Sequence, residues 1–201
     1  MSGMTEALFE ESAALGAPPE IAGSPWVVMK FGGSSVSSAE SWRTIAELVQ
    51  RRIDAGLKPV IVHSALAGVS NALENLLDEA VAGDPAAMLG SIREQHYALA
   101  DDLGLDGGEL LGDSLQQLEQ LVAGVRLVRE VSVRVRVRVM ALGELMSTRL
   151  GSEFLKTRGL PVELLDARDL LTSQARINRN PANAYLSATC DYSADEAMQQ
   201  R

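Results

Sequence analysis

Short apolar runs alternate with amphipathic helical patterns along the first third of this chain, and that alternation restricts it to a layered α/β fold. Trp26 to Phe31 suits a buried strand and is followed directly by Gly32-Gly33. Ser37 with Glu40 forms a capping box, and Trp42, Ile45, Ala46, Val49 and Ile53 follow at helical spacing until Gly56 and Pro59 stop the helix. Val60 to His63 is the next strand, short and continuously apolar as a sheet buried on both faces requires. Ser70 or Asn71 can cap a second helix, in which Leu73, Leu76, Leu77, Ala80 and Val81 make one stripe. The βαβα order predicts a mainly parallel sheet with helices on both faces.

Asp84-Pro85 reads as a cap followed by proline in the first helical turn, and Met88, Ile92, His96, Leu99 and Leu103 line a helix ending at Gly104. His96, on an apolar stripe, is expected to be a packed, hydrogen-bonded structural histidine. His63 closes the second strand, where α/β sheets place ligands, and is read as a neighbour of the site. Leu111, Leu115, Leu118, Val122 and Val125 build another helix. From Val131 to Val139 two signals conflict. Valine and arginine alternate as in a half-exposed strand, yet Val133, Val137, Met140, Glu144, Ser147 and Gly151 also fall at helical spacing. Gly159-Leu160-Pro161 ends that segment, and Val162 to Leu165 is expected to form a third strand.

With 201 residues, 46% apolar and 22% charged, the composition is that of one well-cored globular domain. A net charge of −9 without any lysine or arginine run argues against a nucleic-acid surface, so an anionic ligand must be captured by a local site. The single cysteine, Cys190, permits no internal disulfide and fits a reducing cytoplasm, as an inert thiol. No stretch approaches the ~18 apolar residues of a membrane span. Residues 1 to 24 contain Glu6, Glu10, Glu11 and Glu20 and no basic residue, so they fail as a secretory signal. Pro18-Pro19 and Gly23-Ser24-Pro25 interrupt them, and a mobile acidic tail is expected, with room for a short helix from Glu6 to Ala14.

The segment Lys30-Phe31-Gly32-Gly33-Ser34-Ser35-Val36 carries the clearest chemistry. Two glycines let backbone N–H groups approach an anion, Lys30 supplies a point charge, and a helix beginning nearby would favour negative charge at its N-terminus. The order is neither that of a Walker loop nor Gly-x-Gly-x-x-Gly. On these residues alone, an ordinary strand-to-helix turn with a solvated lysine is an equally good reading.

Two further segments change that balance. Val60-Ile61-Val62-His63-Ser64-Ala65-Leu66-Ala67-Gly68-Val69-Ser70-Asn71 and Gly143-Glu144-Leu145-Met146-Ser147 follow in order. Together the three resemble the signatures of the aspartate kinases, within the amino-acid kinase superfamily, over roughly residues 25 to 201. Ser70 stands where the family commonly has threonine, which keeps the hydroxyl. The resemblance implies a three-layer αβα sandwich with a mainly parallel sheet, of the carbamate kinase-like type, of which this chain holds the N-terminal portion. It also implies a helix capped at Ser132 and unbroken to about Lys156.

The implied reaction is phosphoryl transfer from ATP to the side-chain carboxylate of L-aspartate, giving 4-phospho-L-aspartate, the first step of lysine, threonine and methionine biosynthesis. Lys30 would lie along the transferring phosphoryl group, Gly32, Gly33 and Ser34 would bind ATP phosphate, and Ser70 and Glu144 would bind the substrate. Mg2+ would bridge the phosphates, and the full-length enzyme would be a cytoplasmic homo-oligomer. Within the family the chain is most like the aspartate kinases fused to diaminopimelate decarboxylase. Ser193-x-x-Glu196 begins a helical pattern that stops at Arg201, so the chain is expected to be a fragment lacking the nucleotide-binding half and inactive alone. A kinase with a different acceptor, or a non-catalytic binding or assembly fragment, are the alternatives.

Overall fold

A computed structural model describes residues 24–171 and 189–190 of the chain. The acidic tail before Ser24 and the helix expected from Ser193 lie outside the described residues.

Strands β1 (Trp26–Phe31) and β2 (Lys58–His63) pair in parallel, with Lys30 opposite Val62 and Phe31 opposite His63. Both strands therefore end level, and the loops that leave them start side by side. A single 3-10 turn, Gly33–Val36, follows β1 before helix α1 (Ala39–Asp54) begins. The long helix thus starts several residues beyond the glycine pair. Its cap is Ser38, whose Oγ accepts from the Ser41 N–H at 3.2 Å, one residue later than the Ser37 cap predicted. The Ser37 hydroxyl is engaged elsewhere, with Gly33 and Ala67.

Helix α2 (Val69–Ala82) is entered through Gly68 at φ 80°, a left-handed conformation that glycine adopts without a Cβ penalty. Ser70 and Asn71 are consequently first-turn residues and not caps. Helices α3 (Ala86–Leu103) and α4 (Gly107–Val128) follow, with Pro85 as the N-cap of α3 where a first-turn position was expected. Helix α5 runs from Val133 to Thr157, capped by Ser132 Oγ accepting from the Val135 N–H at 3.3 Å. The helical reading of the valine-arginine segment holds, but its buried stripe is Val139, Leu142, Met146 and Leu150, while Val137 is 37% exposed. Arg136 on this helix pairs with Glu74 of α2. Valine costs a helix only a few tenths of a kcal/mol, and fully burying one such side chain returns about 1.5–3 kcal/mol, so packing overrides the alternation.

The strand expected over Val162–Leu165 is irregular backbone between α5 and the short helix α6 (Ala167–Leu170). Leu164 and Leu165 are 40% and 56% exposed and find no neighbouring strand among the described residues.

The fold is α/β, mostly helical, with a parallel sheet. Its core lies chiefly among α2, α3, α4 and α5, where Leu73, Leu76, Leu77, Leu111, Leu118 and Leu142 are sealed from solvent. Helices α1 and α5 cover one face of the sheet. Among the described residues the other face is bare: Trp26, Val28, Val60 and Val62 are 56%, 68%, 39% and 48% exposed. The continuous apolarity of β1 and β2, which predicts burial on both faces, meets cover on one face only among the described residues. Lys30 stands at the carboxyl end of that open face.

Candidate active site

The three sequence segments meet at Ala65, a residue of the β2–α2 loop that is 3% exposed. From one side comes Gly33: a methyl group there would stand 2.8 Å from the Ala65 carbonyl oxygen and 3.3 Å from the Ala67 nitrogen. From the other comes Gly143 of α5, where a methyl group would lie 3.2 Å from Ala65 Cβ and 3.1 Å from Val69 Cγ1. Both glycines are packing glycines, which let a loop and a helix close on the same short segment.

Gly32 differs. Its backbone (φ −81°, ψ 171°) is open to any residue, and a methyl group on it would meet nothing within 4 Å. Nothing in the fold requires glycine at this position. Beside it, Lys30 and Ser34 are exposed, and the Lys30 side chain makes no ion pair or hydrogen bond among the described residues. The Ser35 N–H is turned back to the Gly32 carbonyl at 3.0 Å.

The Gly143–Ser147 block separates into roles along one helix. Gly143 packs, Met146 is sealed in the core, and Ser147, 1% exposed, has its Oγ 3.3 Å from His63 Nδ1. Glu144 alone points away from the protein. It is exposed, with its side chain unpaired among the described residues, although the helical spacing puts it in series with the buried Ser147. Helix geometry explains the difference: the buried stripe passes through Leu142, Gly143, Met146 and Ser147, and residue 144 falls outside it. Ser70 is likewise exposed in the first turn of α2.

Behind these residues stands a frame that sequence reasoning missed. Trp42 on α1 donates its indole N–H to the Val36 carbonyl at 2.9 Å. The same ring meets His63 edge-on at 5.3 Å and Phe154 at 6.4 Å. The only local signal was the recurrence of small residues at Gly143, Ser147 and Gly151 on one helix, which marks a close approach. Burial pushes the His63 imidazole below its usual range, and its bond to the Ser64 carbonyl opposes this. His96 is the packed structural histidine expected: fully buried, with Nδ1 2.7 Å from the Ile92 carbonyl and Nε2 unpartnered among the described residues. Burial lowers its pKa too.

Among the described residues no group of three or more His, Cys, Asp and Glu side chains could hold a metal ion. No helix among them is long and apolar enough to cross a membrane. Cys190 is a half-buried free thiol.

Comparison with known proteins bears directly on this site. The signature of the amino acid kinase family matches residues 25–189. The chain is 37% identical over 148 residues to aspartokinase 3, chloroplastic, of Arabidopsis thaliana, covering 71% of this chain and 26% of that one. It is 31% identical over 153 residues to the aspartokinase of Chlamydia trachomatis, covering 76% of this chain and 33% of that one. Among solved structures it is similar to E. coli aspartokinase III in complex with aspartate and ADP, with a TM-score of 0.66 and 27% identity, over 83% of this chain and 35% of that one. The chain thus spans between 26% and 33% of the length of these two curated relatives.

Proposed function

The chain belongs to the amino acid kinase family, and from that premise we propose that it forms the acceptor side of an aspartate kinase site, where ATP phosphorylates the side-chain carboxylate of L-aspartate. The observation that carries this reading is Gly32. A glycine with no packing or backbone reason, standing beside an unpaired lysine at the carboxyl end of a parallel strand, leaves space for a ligand and not for the protein. Relatives named aspartokinase, and the aspartate and ADP held by the E. coli neighbour, support the choice of ligands.

The chemistry asks little of the protein beyond placement. A side-chain carboxylate with a pKa of about 4 is ionised at neutral pH, so it attacks phosphorus without a general base. Lys30 would neutralise charge on the transferring phosphoryl group, and the backbone N–H groups of Gly32 and Gly33 with the Ser34 hydroxyl would bind ATP phosphate oxygens. Ser70 and Glu144 would bind aspartate, with the Glu144 carboxylate facing the α-ammonium group. Magnesium would arrive with ATP and would neutralise charge on its phosphates. The product is 4-phospho-L-aspartate. We further propose a cytoplasmic, homo-oligomeric whole enzyme, of which this chain is the N-terminal part of the kinase domain.

The test is ADP release by the whole gene product with ATP-Mg and L-aspartate, L-glutamate or N-acetylglutamate as acceptor. Turnover that depends on aspartate is the expected result. Turnover with glutamate or acetylglutamate and none with aspartate would overturn the choice of substrate.

A further inference from the structure

We infer that Ser37 is a positioning residue that holds the phosphate-binding loop and the aspartate-binding loop in register, an inference that rests on the aspartate kinase reading above. Its hydroxyl donates to the Gly33 carbonyl at 2.6 Å and accepts from the Ala67 N–H at 2.7 Å. One oxygen atom therefore joins two loops that are distant in sequence, each carrying one of the proposed ligand sites. The next peptide is held as well, since Gln95 of α3 donates its side-chain amide to the Ala67 carbonyl at 3.0 Å.

The contact geometry makes this bond decisive for register. Gly33 and Ala67 lie close enough that a methyl group on Gly33 would reach within 3.4 Å of Ala67 Cα, so the loops touch, while the backbone bond from the Ser64 N–H to the Phe31 carbonyl ties them only at their start. Neither loop is tied to the other by any second side-chain hydrogen bond among the described residues. Downstream of Ala67, Gly68 turns the chain into α2 and places Ser70 in its first turn. Upstream of Ser37, the 3-10 turn carries Gly33 and Ser34. Sliding at Ala67 would thus move acceptor against phosphate without disturbing either binding loop internally. Ser37 touches neither ligand in this scheme, and it lies outside the Lys30–Val36 signature.

Steady-state kinetics of Ser37→Ala and Ser37→Thr in the whole gene product test this. Misalignment costs turnover more than binding, so Ser37→Ala should lower kcat about tenfold or more while the KM values for ATP and aspartate each change by less than about threefold. Ser37→Thr keeps the hydroxyl and should restore kcat. A merely structural serine would lower the melting temperature and leave kcat per folded molecule unchanged, and that result overturns the proposal. So does a Ser37→Thr variant with wild-type melting and the turnover of Ser37→Ala. Should Ser37→Ala not fold, hydrogen exchange at the Ala67 amide of the wild type decides: protection should rise when ATP-Mg and aspartate are bound together, and no change on binding counts against the brace. A whole product that phosphorylates a different carboxylate overturns the substrate reading alone, and the same kcat comparison is made with that acceptor. If no acceptor is turned over the kinase reading falls, and Ala67 exchange is compared in Ser37→Ala: faster exchange supports the brace and unchanged exchange overturns it.

Discussion

Gly151 on α5 lies against the benzene end of the Trp42 indole, so close that a methyl group on Gly151 would stand 2.0 Å from Trp42 Cη2 and 2.5 Å from Cζ2. Glycine inside a helix normally costs about 1 kcal/mol against alanine, which would make Gly151→Ala stabilising. Here the sign reverses. Trp42 is 1% exposed and held by its bond to the Val36 carbonyl, so it cannot retreat, and overpacking of this kind costs about 1–3 kcal/mol or more. Gly151→Ala should lower the melting temperature by several degrees in thermal denaturation. An unchanged midpoint would mean that α5 can shift away from α1.

Gly32 and Lys30 should separate folding from catalysis. Gly32→Ala meets no atom within 4 Å and has an ordinary backbone, so its melting temperature should hold or rise slightly, by the equivalent of about 0.4–1 kcal/mol. Its turnover should nevertheless fall about tenfold or more, because the new methyl group occupies ligand space. Lys30→Ala should also melt like the wild type, as the exposed lysine supports no contact, and should lose about 100-fold or more in kcat with a smaller change in the aspartate KM. Melting curves beside steady-state rates check both. Gly32→Ala with full activity would leave that glycine without a purpose.

Glu144→Gln keeps the size of the side chain and removes its charge. It should mainly raise the aspartate KM while the ATP KM hardly moves, because the exposed carboxylate is proposed to face the substrate ammonium group. Measuring both constants decides which ligand it serves. An unchanged aspartate KM with an impaired ATP KM would move Glu144 to the nucleotide side.

His63 and His96 predict how stability varies with acidity. Burial holds both imidazoles below the ordinary value of 6.5, so on acidification the unfolded chain takes up protons first. Stability from these groups is therefore fully present above 6.5, and is lost as pH falls from there through the lowered values. His96→Leu should flatten this acid limb, because it removes a buried ring whose Nε2 has no partner. Denaturation midpoints between about pH 7.5 and pH 5 read the effect. A slope unchanged in His96→Leu would show that His96 contributes nothing to it.

The elements of this fold were legible wherever periodicity and punctuation agreed. β1, β2 and the bodies of the helices lie where apolar spacing puts them, and Ser132 caps α5 as expected. Helix entries were less legible, because a serine can cap its own helix or bond across to another loop, and local sequence does not distinguish Ser37 from Ser38. Val162–Leu165 misled for a related reason: strand propensity needs a paired neighbour, and none is present among the described residues. Within the site, Lys30, Gly32, Ser34, Ser70 and Glu144 were named from motifs, and all have accessible side chains or open space. The roles of their supports, Trp42, Ser37 and Gly151, were not legible beyond the recurrence of small residues on α5, since each acts through a contact with a segment remote in sequence, Trp42 with Gly151 and Ser37 with Ala67.

The packing of Gly143 against Ala65, Val69 and Leu73 also limits how the chain can vary in length. One residue added or removed between Ser64 and Gly68, where Ala65 and Leu66 are 3% and 2% exposed, would displace that buried segment and the start of α2 against α5. Leu73, Leu76, Leu77 and Ala80, all at 0% exposure, would then lose their fit in the core together. Length changes should be tolerated near Leu127 and Val128, which are 85% and 66% exposed where α4 ends, and rejected at the β2–α2 loop even though Ala67 and Gly68 of that loop are exposed. The core, and not the ligand, sets the number of residues there.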